Sequence, residues 1–94
     1  MYIINDVALE LGEQNISVPL ATKFIGVHYR GSVLFLDYVR LEIAPTMELR
    51  KIFVVPHRQS FNHVGDARYI GTAIYNAYGR FSKRHVFEIG QPQG

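Results

Sequence analysis

Apolar and polar residues alternate with a period of two through most of this chain, and β-branched and aromatic residues that suit a pleated surface fill most apolar positions. The clearest stretch is Ser32 to Ile43. Val33, Phe35, Val39, Leu41 and Ile43 share one side of a strand there, and Leu34, Leu36, Tyr38, Arg40 and Glu42 share the other. The first set, interrupted only by Asp37, reads as the core side. Thr22 to Tyr29 alternates Ile25, Val27 and Tyr29 against Phe24, Gly26 and His28, and the short link Arg30-Gly31-Ser32 predicts an antiparallel hairpin with the following strand. Upstream, Val7 to Leu11 and Gln14 to Val18 flank Gly12-Glu13, which predicts a second hairpin at the sheet edge, ended by Pro19.

Downstream the signals shorten. Ala44 to Leu49 is a helix-like hexapeptide with Thr46 as a cap, but it is barely a turn long and reads as loop. Lys51 to Val55 has the look of a short buried strand closed by Pro56. His57 to Asp66 has no periodicity, and a loop of that length in a small domain is a place to look for function. Ala67 to Ile74 and Phe81 to Ile89 form a last strand pair across Asn76-Ala77-Tyr78-Gly79, where Gly79 supplies positive φ, and the tail from Gln91 frays. The expectation is an all-β single domain over residues 1–94. It is a single small antiparallel sheet curled into a barrel or sandwich, with at most one short helical turn.

This pattern leaves Leu34, Leu36 and Tyr38 as an apolar second side of the central strand, which a singly exposed sheet would make polar. Either the sheet folds over on itself or a subunit or partner covers that side. Composition narrows the setting. With 94 residues, 48% hydrophobic and 19% charged, the chain folds as one unit, and the absence of cysteine excludes disulfide scaffolds, thiolate metal sites and cysteine nucleophiles. The start of the chain lacks the basic and apolar regions of a signal peptide, and no apolar run reaches the ~18 residues of a membrane span, so a cytoplasmic location and no membrane are expected. A net charge of +2 argues against nucleic acid as the partner.

Candidate chemistry is sparse. The four histidines, at 28, 57, 63 and 85, have no metal-ligand spacing; His57, His63 and Asp66 make only a generic set, and no cofactor is expected. Ser60 between His57 and His63, with Asp66 nearby, names the members of a triad but has no nucleophile elbow and no glycine pair for an oxyanion hole, so no enzyme activity is expected. Asp37 sits among apolar positions and needs a partner such as an arginine, or a place beyond the rim of the core. Arg80-Phe81-Ser82-Lys83-Arg84-His85 interleaves basic and aromatic residues, as does the side of the hairpin carrying Phe24, His28, Tyr38 and Arg40. The ordinary role of strand arginines is to solvate an edge.

Two stretches resemble a family of small domains of unknown function common in bacteriophages, prophages and bacteria. The first is Ile16-Ser17-Val18-Pro19-Leu20-Ala21-Thr22-Lys23-Phe24-Ile25-Gly26-Val27. The second is Tyr69-Ile70-Gly71-Thr72 followed by His85-Val86-Phe87-Glu88. The similarity spans about Gln14 to Glu88. It implies a phage-type accessory protein with a small β fold, and it brings no catalytic residues.

The functional expectation is a non-enzymatic viral or prophage accessory protein acting in the host cytoplasm. It would bind a host or phage protein, or a second copy as a homodimer, through a partly apolar sheet face. Leu34, Leu36, Tyr38, His57, Arg58, Phe61 and His63 are the interface candidates. A second expectation, resting on seven arginines against three lysines and on six tyrosines, is a pocket for a nucleotide signal built from Tyr69, Tyr75, Arg58, Arg68 and Arg84.

Overall fold

The computed structural model describes residues 1–43, 46–60 and 67–90. They form seven strands: β1 (Tyr2–Leu9), β2 (Gly12–Pro19), β3 (Lys23–Arg30), β4 (Val33–Leu41), β5 (Met47–Pro56), β6 (Ala67–Ala77) and β7 (Arg80–Ile89). No helix occurs among the described residues. The all-β expectation holds, and the single curled sheet resolves into two antiparallel sheets packed as a sandwich without closing into a barrel. Sheet order is β1-β4-β3 in one and β2-β5-β7-β6 in the other. β3 packs along β6 at one side. There Gly71 comes so close to β3 that a Cβ on it would lie 3.2 Å from the Val27 side chain. On the opposite side β1 and β2 are the outermost strands of their sheets, and their outer backbone edges are unpaired among the described residues.

Turn chemistry explains most of the connections. β3 and β4 pair as expected, joined by Gly31-Ser32 with Gly31 at φ +64, the first-position glycine of a two-residue hairpin turn. β6 and β7 also pair as expected, but the strands run further and the turn tightens to Tyr78-Gly79, both at positive φ. The β1–β2 hairpin does not form. β1 pairs with β4 and β2 with β5, so the chain changes sheets at Glu10-Leu11. Gly12 at φ +97 turns it there, and the Gln14 amide clamps the corner, accepting from the Glu10 N–H (2.9 Å) and donating to its carbonyl (2.6 Å). The stretch read as a loop before Lys51 is strand from Met47, because it pairs with β2 from Pro19 onward. Ala44 and Pro45, the segment 61–66 and the tail from Gln91 lie outside the described residues.

The core corrects one assignment in full. Leu9, Ile16, Val18, Leu34, Leu36, Ile52, Val54, Ala73 and Val86 make the buried cluster, with Val7, Phe24, Val27, Tyr29, Tyr38 and Ile70 packed against it. Leu34, Leu36 and Tyr38 therefore face inward. Val33, Leu41 and Ile43, read as core, are exposed. Both sides of β4 are apolar enough for burial, so its polar residues decide. Asp37, mid-strand, would lose its hydration inside, whereas Arg40 near the inner side's end reaches out, donating to the Asn5 side chain (2.6 Å) and the Leu41 carbonyl (3.2 Å). In β3 a bulge between Phe24 and Gly26 shifts the alternation, so Phe24 joins Val27 and Tyr29 inside and Ile25 turns outward.

Candidate functional site

The outer face of the three-stranded sheet has a charged half and an apolar half. In the charged half Asp6 and Asp37 stand directly opposite each other on β1 and β4, a pairing that destabilises a sheet unless it is neutralised. β3 neutralises both. His28 Nδ1 lies 2.9 Å from Asp37 Oδ2, and Arg30 donates to Asp6 Oδ2 at 3.1 Å. Phe35 orders the two donors, with the His28 ring stacked on it and the Arg30 guanidinium 4.0 Å above its centre. Ligand atoms of Asp6, His28 and Asp37 lie within 4.8 Å of one another, a donor set a divalent cation could use, but each carboxylate already has its counter-group. Asp37, expected to need a charged partner or a place beyond the core, has both: it pairs with His28 on the outer face.

The apolar half is the more open. Tyr2 pairs with Leu41, and Ile4 with Val39, itself paired with Lys23. Tyr2, Ala21, Lys23, Ile25, Val39 and Leu41 line a shallow groove of about 370 Å³. Tyr2 is 72% exposed, Ile4 66% and Ile25 53%. Along its rim runs β1, whose backbone on the far side has no partner strand among the described residues. Sequence reasoning missed this face because it had assigned the other side of β4 to the surface.

Between the sheets, near β3 and β6, a cleft of about 270 Å³ holds Thr22, Lys23, Phe24, Arg50, Arg68, Tyr69, Ile70 and Glu88. Its chemistry is already spent. Glu88, only 3% exposed, receives Arg50 bidentately, Nε to Oε2 at 2.5 Å and Nη2 to Oε1 at 2.8 Å. Arg50 Nη1 donates to the Thr22 carbonyl (2.7 Å) and to Glu48 (3.2 Å), and the Phe24 ring covers the guanidinium at 4.3 Å. The hydrogen bond to Glu88, before any other cause, raises the Arg50 pKa above its ordinary value, so the guanidinium stays charged. This is a bolt joining β5 and β7 against β3, with Arg50 committed to protein partners.

On the outer face of the other sheet a line of four polar groups crosses three elements. His57, just past β5, has Nδ1 3.0 Å from His85 Nε2. His85 Nδ1 lies 2.9 Å from Thr72 Oγ1, and Thr72 Oγ1 2.6 Å from the Tyr69 hydroxyl. Pairing of Val55 with His85 and of His85 with Thr72 builds the line, and a bond from the His57 N–H to the Lys83 carbonyl (3.1 Å) holds its end. Partial desolvation, then the positive charges of Lys83, His85 and Arg58, hold the His57 pKa below the ordinary imidazole value. Residue spacing gave no sign of this pair, because β-sheet register, not proximity along the chain, brings positions 57 and 85 together.

The other candidates scatter. His57 and Arg58 are exposed on the turn after β5, while Phe61, His63 and Asp66 lie outside the described residues. The five residues grouped as a nucleotide pocket do not converge. Arg68 and Tyr69 line the Arg50 cleft at the start of β6. Tyr75 is six residues on, roughly 20 Å along the strand, and packs inward against Tyr29 at 5.1 Å. No helix of the described residues is long and apolar enough to cross a membrane. Comparison of the chain with protein-family models, with curated proteins and with solved structures found no match.

Proposed function

We propose that this chain is a non-enzymatic binding module, an accessory protein of the phage type its motifs resemble, that captures a protein partner by strand addition along β1. One observation carries the reading: an exposed apolar groove lies beside a strand whose outer-edge backbone donors and acceptors have no partner strand among the described residues. An extended segment laid along β1 would complete the backbone ladder, and its alternate side chains would cover Tyr2 and Ile4. Asp6 is the only charged residue on β1 to oppose such pairing. The host cytoplasm is the setting this reading assigns.

The test is selection of displayed random peptides on the immobilised chain and on its Ile4→Lys variant, with light scattering of both. Supporting the proposal are peptides of alternating apolar pattern that bind the parent, lose the variant, and slow amide exchange along β1. Peptides indifferent to Ile4→Lys, or no enrichment at all, would refute it. Self-association abolished by Ile4→Lys would make the occupant a second copy and overturn the foreign-partner reading.

A further inference from the structure

Independently of the β1 groove, we propose that the turn after β5 and the facing part of β7 form a binding site for a phosphate group, with His57, Arg58 and Lys83 as the contacting residues. Three observations converge on this corner.

The first is charge without counter-charge. Arg58 and Lys83 are exposed, and among the described residues neither they nor Arg80 and Arg84 form an ion pair with a carboxylate. Arg84 instead donates to Ser82 Oγ (2.7 Å) and the Lys83 carbonyl (3.2 Å). Arg84 turns to the inner side of β7 beside Tyr29, so the cations at the corner itself are Arg58 and Lys83, the two whose charges act on His57.

The second is backbone geometry. Gln59 N donates to the Pro56 carbonyl at 3.3 Å, which makes Pro56-His57-Arg58-Gln59 a turn with Arg58 in its third position at φ +65. Glycine or asparagine takes that position at lower cost, whereas an arginine there strains the turn. What the arginine adds is a planar fork of donors suited to tetrahedral oxyanions, beside a lysine acting as a point charge.

The third is the hydrogen-bonded line. Every group in it can donate or accept, so the line can run in either direction. When the Tyr69 hydroxyl donates to Thr72, Thr72 to His85 Nδ1 and His85 Nε2–H to His57 Nδ1, His57 presents Nε2–H outward. An arriving anion selects that direction and gains a third kind of donor. Two fixed cations and an imidazole N–H suit a dianion better than a carboxylate. Two cations and one N–H match a single phosphate group, whereas a nucleic-acid backbone is held by cations spread along many phosphates.

The test is an NMR titration of the His57 and His85 ring protons with inorganic phosphate, and separately with a nucleoside monophosphate, at constant ionic strength held with chloride. The expected result is saturable binding that raises the His57 pKa. Arg58→Gly should weaken it by about tenfold or more while raising Tm by ~4 °C through relief of the positive φ. Lys83→Ala should also weaken it. Tighter binding of the monophosphate than of phosphate would extend the site to the attached nucleoside, and equal binding would confine it to the phosphate group. No saturable shift with either probe, or affinity unchanged in both variants, would overturn the proposal.

Discussion

Ala21 sits at φ +65 in the turn that carries the chain from β2 to β3, and Thr22 closes that turn twice, donating from N–H (3.2 Å) and Oγ1 (2.6 Å) to the Pro19 carbonyl. The closure is strong enough to hold a non-glycine residue in the left-handed region. Ala21→Gly should therefore stabilise the fold by about 0.5–1 kcal/mol, the cost of the alanine less the glycine's extra chain entropy, as read by urea denaturation. Glu88 is the opposite case, a buried charge whose favourable state depends on Arg50. Glu88→Gln should destabilise by about 3 kcal/mol, and the double variant Arg50→Met, Glu88→Leu should recover much of that loss, because the costly state is one ion left alone. His57 sets a pH dependence. Its folded pKa is lowered, so the unfolded chain binds the proton more readily. Its stability contribution is full above the ordinary imidazole pKa of about 6.5 and is lost as pH falls through that value toward the lower folded one. In phosphate-free buffer, Tm should drop more between pH 7.5 and 5.5 for the parent than for His57→Gln.

Elements were legible where turn chemistry and periodicity agreed. Gly31 and Gly79 mark the two hairpins that form, and the alternation of β7 survives intact. Three things were hidden. The Gly12 corner looks like a hairpin turn, but whether the next strand folds back or crosses to a second sheet depends on which strands β4 and β5 recruit. The bulge in β3 reverses the alternation partway along a strand that reads as regular. Met47–Arg50 becomes strand through pairing with β2, against a weak local helical tendency. Contact between β3 and β6 has no signature beyond a glycine in each strand, and it yields a prediction at this scale. Gly71→Val places side-chain atoms against Val27 where a Cβ alone would already lie at 3.2 Å, and should cost about 1–3 kcal/mol in denaturant unfolding by forcing the sheets apart.

At the scale of the whole molecule, the two-sided apolar character of β4 was visible in its residues, and the expectation that the fold covers its Leu34 and Leu36 side agrees with the sandwich. The second sheet covers one side, and the groove marks what remains open on the other. What the residues alone could not settle was which side was which, and that inversion moves the candidate interface from Leu34 and Leu36 to Tyr2, Ile4 and Ile25. The histidine line depends on strand register and was likewise out of reach.

The decisive measurement is the urea stability of two single charge insertions, Leu36→Lys and Ile4→Lys, compared with the parent. Leu36 is fully buried and Ile4 is 66% exposed. The sandwich described above requires that Leu36→Lys abolish cooperative folding or remove several kcal/mol, while Ile4→Lys changes stability by no more than about 0.5 kcal/mol. A folded Leu36→Lys protein beside an unfolded Ile4→Lys protein would put the core on the other side of β4 and contradict the architecture and the interface together.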